Sequence, residues 1–265
     1  MHYSNGDNLT EGNLLIKRIK STSPFEVFSL PVPQFIVGPC AIENKGQIEE
    51  IAQILVANNI KIMRAGAYKP RTSPYSFQGL GLEGLKMLDY VRKKYGLLVI
   101  SEIIDIRDIE YGLIYTDIIQ IGSRNMSNTA LLKEIGRVDH PVLLKRGMMA
   151  TLSEFMFAAE YILKYGNRKL MLCERGIRTF EESVRNVLDI AAIALLKKET
   201  SLPVIVDLSH SLGRKDILLP VAKAVIALGV DGIMLEMHNT PERALSDVKQ
   251  QLTPKEFEHF IKNIL

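Results

Sequence analysis

Six cationic side chains are the first residues in this sequence whose types could do chemistry. Two of them stand in one short segment, "KPRTSPYSFQG" at 69–79, and the others follow apolar runs. The six are Arg64, Lys69, Arg71, Arg124, Lys145 and Arg175. The net charge of the chain is only +3, so cations that gather in one place would repel one another unless anions lie between them. Because guanidinium and ammonium groups bind phosphate and carboxylate oxygens, we predict a site for several anionic groups, such as two phosphates and a carboxylate.

Four further residues are of types that bind metal ions: Cys40, His210, Glu236 and Asp247. The first three end apolar runs, and Asp247 lies 11 residues after Glu236 (247 − 236). A thiolate, an imidazole and two carboxylates suit a borderline divalent ion such as manganese, iron, cobalt or zinc. Taken singly, Cys40 could equally be a buried apolar residue and His210 a structural histidine. The set as a whole predicts one divalent metal ion.

The elements that must position these residues are eight short apolar runs. They cover residues 34–40, 61–66, 97–103, 118–123, 141–147, 169–176, 202–210 and 230–238. Amphipathic stretches such as 46–59 and 151–166 lie between them and show helical spacing of apolar residues. Continuous apolar runs are typical of parallel strands that are buried on both faces. Eight such units in 265 residues predict the α/β class and a (β/α)8 barrel.

An open, doubly wound sheet is the main alternative to a barrel. That fold predicts a Gly-x-Gly-x-x-Gly turn after the first strand, but the sequence there reads "GPCAIENKG". In a barrel, catalytic groups lie where the strands end. The polar residues at the eight predicted strand ends are Cys40, Arg64, Glu102, Arg124, Lys145, Arg175, His210 and Glu236. A single arginine at such a place is usually a solvated group, whereas a polar residue at every strand end indicates one shared site.

Composition and length limit the remaining possibilities. No stretch approaches the roughly 20 apolar residues that a membrane span needs, and two cysteines make no disulfide framework, so we expect a cytoplasmic protein. The small net charge argues against a nucleic-acid partner. We predict a catalytic barrel over 34–265 and an N-terminal extension over 1–33, in which "NLLIKRI" and "FEVFSL" could pair as a β-hairpin. That extension is shorter than an independent domain of roughly 50 residues, so we expect no regulatory domain in it.

Seven blocks of the sequence resemble those of a known enzyme family. They are "GPCAIEN", "RAGAYKPRTSPYSFQGLG", "IQIGSRNM", "VLLKRGM", "CERGIRTFE", "VDLSHSLGR" and "HNTPERALSD", in that order. They are similar to the 3-deoxy-D-arabino-heptulosonate 7-phosphate (DAHP) synthases, type I-beta subgroup, from about residue 30 to the C-terminus. The resemblance implies a metal-dependent condensation of phosphoenolpyruvate with erythrose 4-phosphate, the first step of the shikimate pathway that leads to aromatic amino acids. It also implies a homo-oligomer, expected to be a tetramer, and leaves open a separate chorismate mutase as partner.

The resemblance further implies a role for each candidate residue. The metal ligands would be Cys40, His210, Glu236 and Asp247. The residues that bind phosphoenolpyruvate would be Arg64, Lys69, Arg124, Lys145 and Arg175. Erythrose 4-phosphate would be bound by Pro70, Arg71, Thr72 and Ser73, with Asp207 near its hydroxyls. Lys69 is a candidate proton donor to the developing alkoxide, and Glu102 could orient or deprotonate the attacking water or simply pair with a cation.

Two other activities remain as alternatives. The sister enzyme that makes 3-deoxy-manno-octulosonate 8-phosphate from arabinose 5-phosphate typically carries an Asn-Arg-Ser pattern where this chain has "PRTS" at 70–73. A Schiff-base aldolase that acts through Lys145 would need a desolvated, uncharged amine at that position. Several arginines close to such an amine would be unexpected unless anions filled the site. A barrel that only binds ligands would be expected to have lost metal ligands, whereas all four are present.

Overall fold

The eight predicted strands close into one parallel barrel. The computed structural model describes residues 14–18 and 33–264, in which each strand pairs with the next along the chain and β8 pairs with β1. The strands are β1 (Gln34–Gly38), β2 (Ile62–Arg64), β3 (Leu98–Glu102), β4 (Ile118–Ile121), β5 (Val142–Lys145), β6 (Leu170–Glu174), β7 (Val204–Asp207) and β8 (Gly232–Glu236). Each lies within the apolar run that predicted it, so the (β/α)8 prediction is confirmed.

Helices follow the strands and surround the barrel. They are α1 (Leu15–Arg18), α2 (Lys45–Ala57), α3 (Leu82–Tyr95), α4 (Ile109–Tyr115), α5 (Thr129–Gly136), α6 (Leu152–Lys164), α7 (Ile190–Glu199), α8 (Leu208–Leu212), α9 (Leu218–Ala227) and α10 (Pro254–Ile264). Short 3₁₀ turns cover Ile106–Asp108, Ser123–Asn125 and Pro241–Arg243. None of these helices within the described ranges is both long enough and apolar enough to cross a membrane.

The core has two layers because successive side chains of a strand point to opposite faces. Inside the barrel, a small cluster that includes Ile36, Leu143, Cys173 and Met234 fills the space between the strands. A larger apolar layer lies between the strands and the helices. Cys173 therefore belongs to the packing, as the sequence predicts, and burial raises the pKa of its thiol to about 12. With its interior filled, the barrel offers room for a ligand only beyond the ends of its strands.

Capping residues fix where the helices begin, and so where the loops of the barrel mouth end. Thr151 and Glu154 form a reciprocal capping box at the start of α6. The side chain of Asp189 accepts a hydrogen bond from the Ala192 N–H at 2.9 Å and caps α7. Each cap satisfies backbone N–H groups that have no partner inside the helix. The two caps therefore fix the residues at which the loops after β5 and β6 end.

The N-terminal extension differs from its prediction. Leu15–Arg18 forms one helical turn where the first strand of a hairpin was expected, so that part of the prediction is wrong. Ile16 is fully buried in the main apolar layer, and its N–H donates to Glu160 of α6 at 2.5 Å, which binds this turn to a helix. The second predicted strand, residues 25–30, lies outside the described residues, and the division of the chain at residue 33 stays a prediction.

Gly38, at the end of β1, has a positive φ of 153° and lies against the backbone of Arg64 in β2. A Cβ there would lie 2.0 Å from the carbonyl oxygen of Arg64, a backbone atom that cannot swing aside. We predict that Gly38→Ala destabilises the fold by roughly 3 kcal/mol, at the upper end of what overpacking a tight site usually costs. Thermal unfolding should show this as a midpoint roughly 6–12 °C lower.

Gly96→Ala is the control for this substitution. Gly96 has a positive φ of 66°, but a Cβ there would meet no atom within 4 Å. Its replacement should therefore carry only the backbone cost of the left-handed conformation, roughly 1–2 kcal/mol. Equal unfolding midpoints for the two variants would show that the contact with Arg64 is not what requires glycine at position 38.

Candidate active site and metal centre

A cavity of about 370 Å³ lies at the carboxyl ends of the strands. It contains twelve of the residues that the sequence singled out. These are Arg64, Lys69, Pro70, Arg71, Thr72, Ser73, Glu102, Arg124, Lys145, Arg175, His210 and Asp247. The barrel thus brings the predicted cations and the phosphate-loop residues to one place.

The four candidate metal ligands converge beside this cavity. Cys40 follows β1, His210 lies in α8 directly after β7, Glu236 ends β8, and Asp247 lies in the loop after β8. One ligand atom from each residue lies within 4.8 Å of the others. Because β8 pairs with both β7 and β1, the barrel closure places these residues together without long loops. Asp247 adopts a positive φ of 51°, an uncommon conformation that places its carboxylate in the group.

The distances within this group fit a bound ion. The Cys40 Sγ lies 3.1 Å from Asp247 Oδ2. The Nε2 of His210 lies 3.5 Å from a carboxylate oxygen of Glu236 and 3.5 Å from one of Asp247, beyond the usual N–H···O range of about 2.7–3.2 Å. Thiol, imidazole and carboxylate donors facing one point are the ligand set of a borderline divalent metal. The residues present could therefore hold such an ion.

Charge around His210 supports the same interpretation. Burial disfavours the protonated imidazole, but the carboxylates of Asp207 and Glu236 outweigh it and raise the pKa of His210 to about 9. Burial in turn disfavours the ionised Glu236, yet His210 and Arg64 hold the pKa of this carboxyl below its ordinary value. A ligating imidazole must be neutral, so a metal ion would displace the proton that these carboxylates attract.

Asp207 is fully buried and is absent from the cavity wall, and its predicted place near the substrate hydroxyls stays a prediction. Its Oδ2 lies 2.8 Å from His210 Nδ1 and also contacts the Nζ of Lys145, while its Oδ1 accepts the His210 N–H at 3.0 Å. The reason is local: Asp207 ends β7 and caps the short helix α8. It orients the imidazole so that Nε2 faces the other ligands.

Glu102 lies in the cavity with half of its carboxylate unpaired. Its Oε2 accepts a hydrogen bond from Gln120 Nε2 at 3.2 Å, and its Oε1 is buried with no partner among the described residues. The side chain fits only because residue 122 is glycine, where a Cβ would lie 1.9 Å from Oε1. In the described part of the chain no cation is within ion-pair distance of Glu102, so the alternative of a structural ion pair is not observed.

The cations of the cavity fall into two groups. Arg64, Lys145 and Arg175 are each only 4% exposed, whereas Arg124 lies at the surface and Arg71 is half-buried. Arg64 pairs with Glu236 at 2.9 Å, and Lys145 pairs with Asp207. Arg175 has no carboxylate within ion-pair distance among the described residues, and burial lowers the pKa of its guanidinium. A buried cation without a partner is costly, so this site needs an anion.

Sequence reasoning missed several residues of the cavity wall. Arg178, Arg185 and Asn186 reach it from the loop between β6 and α7. Arg185 lies 3.1 Å from Asp247, and the Asn186 amide donates to the His210 carbonyl at 2.7 Å. These residues lie several positions after the end of β6, whereas the barrel pattern of the sequence indicates functional residues only at the strand ends. The block "CERGIRTFE", which contains Arg178, was the one sequence feature that could have indicated any of these three residues.

Comparisons with known proteins agree with this geometry. The family model for the DAHP synthetase I family matches residues 32–264. A phospho-2-dehydro-3-deoxyheptonate aldolase of Thermotoga maritima is 49% identical over 229 residues, which cover 86% of this chain and 68% of that protein. A crystal structure of this aldolase matches with a TM-score of 0.84 and 48% identity, over 88% of this chain and 68% of that one.

Two further similarities are informative. A truncated form of 3-deoxy-D-arabino-heptulosonate 7-phosphate synthase from T. maritima matches with a TM-score of 0.81 and 44% identity, over 88% of this chain and 85% of that one. A 2-dehydro-3-deoxyphosphooctonate aldolase of Syntrophotalea carbinolica is 30% identical over 248 residues, which cover 87% of this chain and 88% of that protein. The chain is thus considerably more similar to the heptonate enzyme than to this octonate enzyme.

The position of Asp207 generates a prediction about metal affinity. Asp207→Asn keeps the shape of the side chain but removes the charge that orients His210, so divalent-metal binding should weaken by about 10–100-fold. Titration of the metal-free protein with manganese or zinc against a chromophoric chelator measures this. Asp231→Asn is the control, because Asp231 pairs with Lys197 at 2.7 Å near the opposite end of the strands. Equal metal affinity in the folded Asp207 variant and the unmodified protein would contradict the orienting role.

Proposed function

Because the chain belongs to the DAHP synthetase I family, it condenses phosphoenolpyruvate with erythrose 4-phosphate, and we propose that the reaction takes place in the cavity at the barrel mouth. The observation that carries this proposal is one juxtaposition. Four metal-ligand atoms within 4.8 Å lie beside a cavity that is lined by buried and exposed cations. A reaction between two phosphorylated substrates at a divalent ion needs both features in one place.

Phosphoenolpyruvate is assigned to the deep part of the cavity. Its phosphate and carboxylate would be bound by Arg64, Lys69, Arg124, Lys145 and Arg175. The unpaired, buried guanidinium of Arg175 supports this assignment, because an anionic ligand would supply the missing partner. Guanidinium groups bind such oxygens in paired, directional contacts, which would fix the orientation of the enol carbon.

Erythrose 4-phosphate is assigned to the outer part of the cavity. There the loop residues Pro70, Arg71, Thr72 and Ser73 form the wall. The loop is closed at its base by the Lys69 N–H, which donates to the Gln78 carbonyl at 2.9 Å, and by a bridge between Tyr68 and Gly79. Proline in such a loop reduces the conformational entropy that binding would remove.

The metal site is assigned to Cys40, His210, Glu236 and Asp247. A divalent ion bound there would act as a Lewis acid toward the aldehyde oxygen. Lys69 lies beside the site, with its Nζ 2.9 Å from Cys40 Sγ and 3.2 Å from the Cys40 carbonyl. Burial opposes the charge on Lys69, but the adjacent Cys40 outweighs it and raises the pKa of the ammonium. These contacts and the raised pKa support the proposal that Lys69 donates a proton to the alkoxide that would form on the aldose carbon.

Glu102 completes the set of assigned roles. When the enol carbon has attacked the aldehyde, water must add to the cationic carbon that carries the phosphate, and phosphate then leaves. A base that orients or deprotonates this water needs a free acceptor in the cavity. Glu102 lines the cavity, and no cation among the described residues is within ion-pair distance of its carboxylate, which supports the role that the sequence suggested.

The alternative activities have weaker support. The octonate aldolase of S. carbinolica is 30% identical, compared with 49% for the heptonate aldolase of T. maritima. A Schiff-base route through Lys145 would give no role to the four clustered ligands. The condensation with erythrose 4-phosphate is therefore the activity of this chain.

We also propose the cellular location and the oligomeric state of the enzyme. Neither Cys40 nor Cys173 forms a disulfide bond, which suits the proposed cytoplasmic location. The outer surface exposes Met149, Phe157 and Phe180, which supports packing against another chain. A homotetramer and a separate chorismate mutase partner stay predictions.

We predict that consumption of phosphoenolpyruvate depends on erythrose 4-phosphate. Arabinose 5-phosphate should be used less efficiently by roughly 100-fold or more in kcat/KM, because a site that binds one sugar phosphate by hydrogen bonds rejects a poor match strongly. A steady-state assay of phosphoenolpyruvate consumption, with each sugar phosphate varied in turn, measures the two kcat/KM values. A preference for the five-carbon sugar would overturn the assignment.

The same assay tests the metal. A chelator should abolish turnover, and addition of manganese should restore it. Cys40→Ser should need more metal for half-maximal activity, because it replaces the softest ligand of the set. Full activity in protein that is verified to be free of metal would contradict the assigned centre.

Lys69 and Arg71 should fail in different ways. Lys69→Ala should lower kcat by roughly 10²–10⁴-fold, the usual contribution of a general acid, with a smaller change in the KM for phosphoenolpyruvate. Arg71→Ala should mainly raise the KM for erythrose 4-phosphate. Arg107→Ala is the control, because Arg107 is exposed and pairs only with Asp105 in the described part of the chain. If Lys69→Ala changed substrate affinity alone, Lys69 would be a binding residue and not the proton donor.

A further inference from the structure

A buried ion network lies behind the cavity wall and has no part in the mechanism described above. Its members are Arg146, Glu174 and Asp189. Arg146 is 3% exposed and Glu174 is fully buried, and neither belongs to the cavity wall. Arg146 follows Lys145 and Glu174 precedes Arg175, and successive side chains of a strand point to opposite faces. Lys145 and Arg175 face the cavity, so Arg146 and Glu174 lie on the outer face of the barrel.

Glu174 binds the backbone from which Arg175 departs. Its Oε1 accepts hydrogen bonds from the Arg175 N–H at 3.1 Å and from the Gly176 N–H at 2.6 Å. Gly176 has a positive φ of 82°, and a Cβ there would lie 2.8 Å from the Cβ of Asn186. The carboxylate therefore stabilises a tight turn directly after β6. The direction of the Arg175 side chain depends on that turn.

Arg146 holds Glu174 in place. Its Nη1 lies 2.8 Å from Glu174 Oε2 and 2.9 Å from Asp189 Oδ2, and its Nε donates to the Ala150 carbonyl at 3.1 Å. One guanidinium thus contacts the end of β6, the start of α7 and the loop after β5. The strand register makes this possible, because the Arg146 N–H donates to the Cys173 carbonyl at 2.9 Å.

Stability alone does not account for such a network. Burial of charges carries a large desolvation cost, and apolar residues of similar size often stabilise a fold as well or better. A charge network with several directional hydrogen bonds fixes geometry in a way that apolar contacts do not. The geometry fixed here is the backbone on either side of Arg175.

We propose that Glu174, held by Arg146, is a positioning residue that directs the guanidinium of Arg175 at the anionic groups of phosphoenolpyruvate. The inference rests on the proposed function, which assigns Arg175 to that substrate. Glu174 does not touch the substrate and acts through the turn at 175–176. Arg175 is buried without a carboxylate partner among the described residues, and its Nη1 donates to the Gly176 carbonyl at 3.4 Å, so its placement depends on this turn.

Glu174→Gln is the principal test. The amide keeps the size of the side chain, but it loses the charge and presents an N–H where Arg146 needs an acceptor. The dissociation constant for phosphoenolpyruvate, measured by calorimetry on the metal-loaded protein, should rise by about tenfold, as expected when a charged hydrogen-bond acceptor is lost. The KM for erythrose 4-phosphate should stay within about twofold of the unmodified value, because a tenfold change would require loss of a further interaction. Asp139→Asn is the control, since Asp139 pairs with Lys169 at 2.9 Å near the other end of β6.

A double-substitution cycle separates positioning from a general structural effect. Glu174→Gln should add little to Arg175→Ala, because the carboxylate acts through the residue that is already removed. A full tenfold effect of Glu174→Gln in the Arg175→Ala background would overturn the inference. Unchanged binding by Glu174→Gln, when Arg175→Ala binds weakly, would overturn the inference alone. Unchanged binding by Arg175→Ala would overturn the substrate assignment as well.

Arg146→Lys keeps the inference testable if Glu174→Gln does not fold. Lysine keeps the charge but cannot contact three partners with a planar fork. The dissociation constant for phosphoenolpyruvate should then rise by about threefold, a partial loss of the same interaction. An unchanged constant in folded Arg146→Lys, confirmed by circular dichroism, would overturn the role of the network.

Discussion

The pairing of charge in a confined barrel mouth is the constraint on which the rest of the site depends. Substrates with several anionic groups require cations, and cations that leave water must be neutralised. Three of them are paired with a carboxylate from another strand end: Arg64 with Glu236, Lys145 with Asp207 and Arg146 with Glu174. Among the described residues, Arg175 has no carboxylate partner, and the ammonium of buried Lys69 contacts Cys40 and no carboxylate.

Because these carboxylates are shared, the candidate metal site and the proposed substrate site are physically connected. Glu236 is a candidate metal ligand and the partner of Arg64, and Asp207 contacts both His210 and Lys145. A change in the charge at either site therefore alters the field at the other. Asp207 lies beneath the cavity, where its carboxylate contacts both Lys145 and His210.

The glycines near the site show how closely the backbone approaches these groups. Gly38 leaves room for the carbonyl of Arg64, and Gly122 leaves room for the carboxylate of Glu102. Neither requirement could be seen in the sequence, in which both are simply glycines after apolar runs. The same holds for Arg185 and Asn186, which reach the cavity because the loop after β6 folds back against Ser211 and Leu212.

The sequence by itself determined the barrel, the strand-end positions and the residue types of the site. This was possible because the pattern of apolar residues and the chemistry of each side chain are local properties of the chain. The block "KPRTS" and the four metal-ligand types could be identified without coordinates. Only the tertiary structure decided which charges meet. The sequence did not predict that Asp207 contacts both Lys145 and His210, and Glu174 was not predicted at all. Contacts between side chains of different strands depend on barrel closure and register, and residues far apart in sequence, such as Lys145 in β5 and Asp207 in β7, come into contact only through them.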